Sequence, residues 1–216
     1  SDLANGLGNL LSRTLTLIER SAGGTIPEIP PLLDIEAEEK LTAAGLDAFR
    51  LADSDIQEMA FSRALETIWH LVRAADQYLE THAPWTLAKD PSKRMLLERV
   101  LYRAADSLRL LAIAIYPFMP STAEAISQQL GINLDFTTAI PFNDRQWNRL
   151  RPGTRVQKAS ALFPRILTQA GAYSVTGTTA TLSVAQGAKS VSDTPSASQP
   201  TAGATAPTAA AAQVPT

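Results

Sequence analysis

The sequence lacks several features that would indicate particular classes of protein. It has no cysteine, which excludes disulfides, thiolate metal sites and a cysteine nucleophile. It shows no charged-then-apolar leader and no run of about 18 apolar residues, so we expect a cytoplasmic protein without a membrane segment. With a net charge of −2, it also lacks the basic excess that often marks nucleic-acid-binding domains. Any contact with a nucleic acid must therefore be a local patch.

Aromatic and charged residues are scarce in the C-terminal part of the chain. After Ser174 there is no aromatic residue, and Lys189 and Asp193 are the only charged ones. A segment rich in Ala, Thr, Ser, Gln, Gly and Pro cannot bury enough apolar surface to offset the entropy cost of ordering it. We therefore predict a globular domain over residues 1–167 and a disordered tail over residues 168–216.

Apolar residues recur at helical spacing in five segments of the predicted domain. This pattern predicts an all-α helical bundle of about five helices. The chain begins inside the first of these patterns, which we interpret as a cut in a longer protein. We place the helices at residues 1–20, at 35–51, from the Asp53-Ser54-Asp55 run to Pro84, from Asp90 to Pro117 and from Ser121 to Gly131.

Three of these helices have recognisable start signals. Asp34 is a candidate N-terminal cap of the second helix. Asp90 is a candidate cap of the fourth, because Pro91 after it suits the first helical position. Ser121 and Glu124 have the spacing of a capping box and predict the start of the fifth helix.

Two short segments provide candidate binding residues. Asn9 and Arg13 lie one turn apart on the face of the first helix that is opposite its leucines. An amide and a guanidinium together suit the polar edges of an unstacked base, although the pair also fits a simple solvated face. Pro84 ends the third helix and is followed by Trp85, whose indole is either a stacking platform for a base or a cap on the core.

Five segments along residues 2–167 share a family resemblance, in order and at plausible spacing. They are Asp2–Arg13, Ala64–Trp69, Ala83–Lys89, Pro117–Thr122 and Leu162–Ile166. Together they resemble the C-terminal anticodon-binding domain of the methionyl-tRNA synthetases, which are class I aminoacyl-tRNA synthetases.

The resemblance implies specific roles for the candidate residues. Residues matching Asn9, Arg13 and Trp85 contact the CAU anticodon of methionine tRNA in that family, with the tryptophan stacking on a base and Pro84 supporting it. One position departs from the family, because Asp76 stands where many relatives have Asn. Since a carboxylate repels phosphate, we expect Asp76 to make an internal hydrogen bond and not to bind RNA.

The sequence contains no catalytic signature of these enzymes. The His-x-Gly-His and Lys-Met-Ser-Lys-Ser motifs that handle ATP are absent, as are a phosphate loop and a metal-ligand cluster. We expect the two histidines, His70 and His82, to be structural or exposed. The acidic residues Glu36, Glu38 and Glu39 predict a solvated helix face. We therefore expect a non-catalytic segment without its own cofactor.

The resemblance also implies the partners of this segment. They are methionine tRNA and the catalytic domain of the same enzyme, which would use ATP and magnesium to attach methionine. Two alternatives remain open. One is the anticodon-binding domain of another class I synthetase, for isoleucine, valine, leucine or cysteine. The other is a helical protein-interaction module without RNA binding, which the near-neutral charge favours weakly.

Overall fold

The computed structural model describes residues 3–31, 35–136, 138 and 140–163. This part of the chain is helical, which confirms the predicted all-α fold, and none of its helices is long and apolar enough to cross a membrane. A wide π-helical turn precedes the first helix, and 3-10 turns lie before the fifth helix and after the sixth. The helices are α1 (Asn9–Ser21), α2 (Ile35–Gln57), α3 (Phe61–His82), α4 (Pro84–Leu87), α5 (Arg94–Ile115) and α6 (Pro120–Gln129).

Helix α5 lies at the centre of the bundle. Every residue from Arg99 to Ile115 is buried, as expected for a helix that neighbours cover on all sides. Helices α1 and α3 each bury a single stripe and keep a polar face outside; both contact α5, and α3 also packs against α2. The buried stripe of α1 consists of Leu10, Leu11, Thr14, Leu15 and Ile18.

The boundary between α2 and α3 lies later in the chain than predicted. The Asp53-Ser54-Asp55 run belongs to α2, which continues to Gln57. The aspartates do not end the helix, and cations from other parts of the chain pair with both of them. Arg145 lies 2.9 Å from Asp53, and Arg63 lies 3.1 Å from Asp55.

The start signals met different outcomes. Asp90 caps its helix as predicted, accepting hydrogen bonds from the backbone N–H of Ser92 at 3.0 Å and its hydroxyl at 2.7 Å. These bonds hold the pKa of Asp90 below its usual value. The prediction of a capping box at Ser121 is wrong, because Pro120 occupies the first position of α6 and no side chain caps this helix. Asp34 and the predicted tail at 168–216 lie outside the described residues.

The expectation of a solvated acidic face on α2 is wrong for Glu38. This residue is only 6% exposed, and both of its carboxylate oxygens accept hydrogen bonds from Arg99. Arg103 approaches to 3.7 Å, and the hydroxyl of Tyr78 donates to the same carboxylate at 3.3 Å. These contacts join α2, α3 and α5. Breaking one of them would leave a buried charge unpaired, which is strongly destabilising. The neighbouring Glu39 is exposed, as predicted.

Candidate nucleic-acid interface

Trp85 lies at a sharp corner where α3 ends. The chain turns at Ala83, which has a left-handed backbone (φ 42°, ψ 62°) and donates its N–H to the carbonyl of Leu79 at 3.0 Å. Pro84 cannot continue α3, since it has no N–H, but its fixed φ suits the first position of α4, where it is buried. Trp85 follows it with 45% of its surface exposed. The corner therefore anchors the backbone and presents the indole to solvent.

Asn9 lies where the π-helical turn Leu3–Gly8 passes into α1. Its amide nitrogen donates to the carbonyl of Asn5 at 3.0 Å, and the residue is exposed. Such wide turns are frequent at functional sites. Arg13 follows one turn later on the same helix, with 37% of its side chain exposed. The structure thus places the predicted pair on the solvent-facing side of α1.

The structure brings Arg13 of α1 and Trp85 of α4 together. The guanidinium carbon of Arg13 lies 5.7 Å from the centre of the Trp85 ring, within the range of a cation–π interaction. A nitrogen of the same guanidinium lies 3.5 Å from Asp76 and 3.9 Å from Glu80. Arg13 is therefore held between an aromatic face and two carboxylates of α3. Among the described residues no hydrogen bond or ring contact joins Asn9 to Trp85, whereas Arg13, one turn after Asn9, lies beside the indole.

The expectation of an internal hydrogen bond at Asp76 is wrong. Its Oδ1 atom is buried and accepts no hydrogen bond from the described residues, and it forms an ion pair with Arg13 instead. Burial raises the pKa of Asp76, Arg13 opposes this shift, and Glu80 adds to it. Sequence reasoning missed this role because no local pattern shows that Asp76 and Arg13 face each other across two helices.

A groove of about 540 Å³ extends from Trp85 along the end of α1. Its apolar lining includes Leu17, Leu87 and Leu97. Two cationic residues, Arg20 and Arg94, also line it together with the carboxylate of Asp90, so that apolar and charged surface adjoin the indole. Arg94 is positioned by a 2.9 Å hydrogen bond from its guanidinium to the carbonyl of Ser21. The sequence places Arg20 on the polar face of α1, but it gives no signal for Arg94.

The described residues contain no cluster of three His, Asp or Glu side chains that could hold a metal ion. His70 is exposed. The His82 ring packs against Tyr78, with 4.4 Å between ring centres, and its Nδ1 lies 2.9 Å from the Tyr78 carbonyl oxygen. These positions agree with the structural or exposed roles expected of both histidines.

Residues 33–174 match the sequence profile of the family described as the anticodon binding domain of methionyl tRNA ligase. The match includes Trp85 and begins after Asn9 and Arg13. The chain is 44% identical over 166 residues to the methionine–tRNA ligase of Caldanaerobacter subterraneus. This match covers 77% of the chain and 25% of the relative. It is 37% identical over 165 residues to the Bacillus subtilis enzyme, covering 76% of this chain and 24% of the relative. The chain thus spans about a quarter of these curated relatives.

Solved structures give the same result. The methionyl-tRNA synthetase of Mycobacterium tuberculosis in its free state superposes with a TM-score of 0.65 at 29% identity. The match covers 76% of this chain and 32% of that one. The same enzyme in complex with methionyl-adenylate gives a TM-score of 0.66 with the same coverage. The chain therefore belongs to the family of anticodon-binding domains of methionyl-tRNA ligases.

Proposed function

We propose that this chain binds methionine tRNA and recognises its CAU anticodon through Asn9, Arg13 and Trp85, with Pro84 supporting the indole. The observation that supports this most strongly is the placement of Arg13 at 5.7 Å from the ring centre of the half-exposed Trp85. Asn9 adds an exposed amide one turn away on the same helix. These three side chains are the ones that the family resemblance implies.

The chemistry of the three side chains suits an unpaired loop. Proteins read RNA sequence in single-stranded loops, where unstacked bases lie on aromatic rings and expose their polar edges. Trp85 offers the aromatic face, Arg13 a planar fork of donors, and Asn9 both donors and an acceptor. The net charge of −2 gives the chain no overall attraction for the phosphate backbone, so phosphate contacts must be local and selectivity should come from base contacts.

The proposal includes the remainder of a longer cytoplasmic enzyme, since the chain spans only a quarter of its curated relatives. The catalytic domain would attach methionine to the tRNA with ATP and magnesium, and it would be the second partner of this domain. The described residues contain no metal-ligand cluster. We assign no catalytic step to this domain and propose that it contributes recognition alone, because the family that it matches is an anticodon-binding domain.

A titration tests the anticodon assignment. The chain is titrated with labelled anticodon stem-loops that share one stem and differ only in the triplet: CAU, a single-base variant GAU, and a scrambled order. We expect weak binding with a clear preference for CAU. Equal binding to all three loops would refute CAU recognition. A preference for GAU would favour another class I synthetase, and no binding to any loop would favour a protein-interaction module.

A further inference from the structure

A segment far along the chain lies beside the polar face of α1. The backbone N–H of Ile26 donates to the carbonyl of Thr154 at 2.8 Å, and the N–H of Val156 donates to the carbonyl of Gly24 at 3.0 Å. Two residues later, the ammonium of Lys158 donates to the hydroxyl of Thr16 at 3.3 Å. The backbone bonds therefore determine where Lys158 lies.

A glycine allows this segment to come so close to the bundle. Gly131 follows α6 with a left-handed φ of 70°, and a Cβ atom there would overlap the carbonyl oxygen of Arg155. The N–H of Gln157 also donates to the carbonyl of Gln129 at 2.8 Å. The approach of residues 154–158 to α1 thus depends on contacts at both α6 and the loop after α1.

Lys158 and Arg20 therefore share one side of α1. Thr16, which binds Lys158, is one turn before Arg20, so both cations lie over adjacent turns. Arg13 is three residues before Thr16, and the distance along the axis from Arg13 to Arg20 is about 10 Å. Arg20 also lines the groove that begins at Trp85. A nucleic-acid strand with a base on Trp85 would pass these cations.

The cations of this surface differ in how far their charge is compensated. Arg13 faces Asp76 and Glu80, and Arg94 lies 2.6 Å from Glu98. In contrast, neither Arg20 nor Lys158 pairs with a carboxylate among the described residues. Both side chains are exposed. Arg20 and Lys158 thus present uncompensated positive charge, whereas the positive charge of Arg13 is offset.

We propose that Arg20 and Lys158 bind phosphates of the RNA strand whose base stacks on Trp85, whereas Arg13 contacts a base edge. The proposal rests on the proposed function and divides the interface into two parts. Uncompensated, exposed cations suit phosphates, which carry no sequence information but position the strand. The compensated guanidinium of Arg13 has little net attraction for phosphate and keeps its planar donors for a base.

The salt dependence of binding tests this division. The full chain and the variants Arg20→Gln and Lys158→Gln are titrated with the CAU and scrambled loops between about 50 and 200 mM salt. Each phosphate contact on a single strand contributes about 0.7 to the slope of log affinity against log salt. We therefore expect each variant to flatten the slope by about 0.7 and to weaken both loops about fivefold near 0.1 M salt. The preference for CAU should be unchanged.

Two further variants serve as controls. Arg63→Gln removes the same charge near the start of α3, roughly 30 Å along the helix from Trp85, and should leave the slope unchanged. Lys158→Arg keeps the charge and should preserve the slope. If Arg20→Gln and Lys158→Gln leave the slope as it is, or change the preference for CAU instead, the phosphate assignment is overturned. If the unmodified chain does not distinguish the loops, the proposed function itself fails.

Discussion

Replacing Trp85 with alanine separates its role in binding from its role in the fold. Truncating a fully buried aromatic residue costs about 3–5 kcal/mol. Because Trp85 is 45% exposed, we expect about half of this, near 2 kcal/mol, including its contact with Arg13. This corresponds to a fall in melting temperature of about 4–8 °C for a domain of this size. The variant should remain folded, since domains are typically stable by about 5–15 kcal/mol.

The loss of binding should be larger than the loss of folded protein explains. Stacking of a base on an aromatic side chain contributes about 1–3 kcal/mol, which is roughly a 5- to 150-fold change in affinity. Trp85→Leu provides a matched control, because leucine keeps apolar contact with the groove but offers no aromatic face. We expect Trp85→Leu to be nearly as stable as the unmodified chain and to bind the CAU loop almost as weakly as Trp85→Ala.

Trp85→Phe completes the series and keeps a smaller aromatic ring. We expect its affinity to lie between that of the unmodified chain and that of Trp85→Leu. Fluorescence anisotropy with the labelled CAU loop measures binding, and thermal melting followed by circular dichroism measures stability for each variant. If Trp85→Leu binds as tightly as the unmodified chain, the indole is only a packing residue and the stacking role is refuted.

Three further substitutions test the structure around the interface. Burial raises the pKa of Asp76 above 3.8, so the free energy of unfolding falls as pH rises from 3.8 through the raised pKa. Asp76→Asn should therefore be more stable than the unmodified chain in urea unfolding at pH 7, and equal stability there would contradict this. Glu38→Gln should lower the free energy of unfolding in urea by about 3–5 kcal/mol, because it leaves buried arginines unpaired. The control Glu39→Gln, at an exposed position, should change it by no more than about 0.5 kcal/mol. Gly45→Ala gains about 0.5–1 kcal/mol of helix propensity, but its Cβ would lie 2.7 Å from Cε2 of Trp147. We expect a net loss of stability of about 1–3 kcal/mol, measured by thermal melting, and a higher melting temperature would refute the overlap.

The helices were predictable because their signals are local. Apolar spacing predicts the buried stripe of α1, and Asp90 caps its helix through a bond to a residue two positions away. Pro84 likewise indicates the end of α3 near His82, but the sequence left the exposure of Trp85 open. Each of these features depends on residues within about one helical turn.

The features that the sequence did not predict depend on contacts between distant segments. Glu38 fits a solvated helix face by spacing alone, and its burial follows only from Arg99 of α5 facing it. The partner of Asp76 on α1 is Arg13, and Lys158 reaches α1 from a turn-rich segment. Helical periodicity specifies which side chains share a face, but it does not specify which element covers that face.

Helix α3 connects the buried charge network to the candidate interface. Asp76 and Glu80, one turn apart, face Arg13, whereas Tyr78 between them points into the bundle and donates to Glu38. The same helix ends at the corner that presents Trp85. A substitution that disrupts the buried charge network can therefore displace Arg13 and Trp85 although the substituted residue does not itself contact RNA. Binding by Glu38→Gln should be compared with Trp85→Ala only at equal folded fractions. If Glu38→Gln still loses affinity there, the end of α3 has shifted, and if it does not, the network contributes to stability alone.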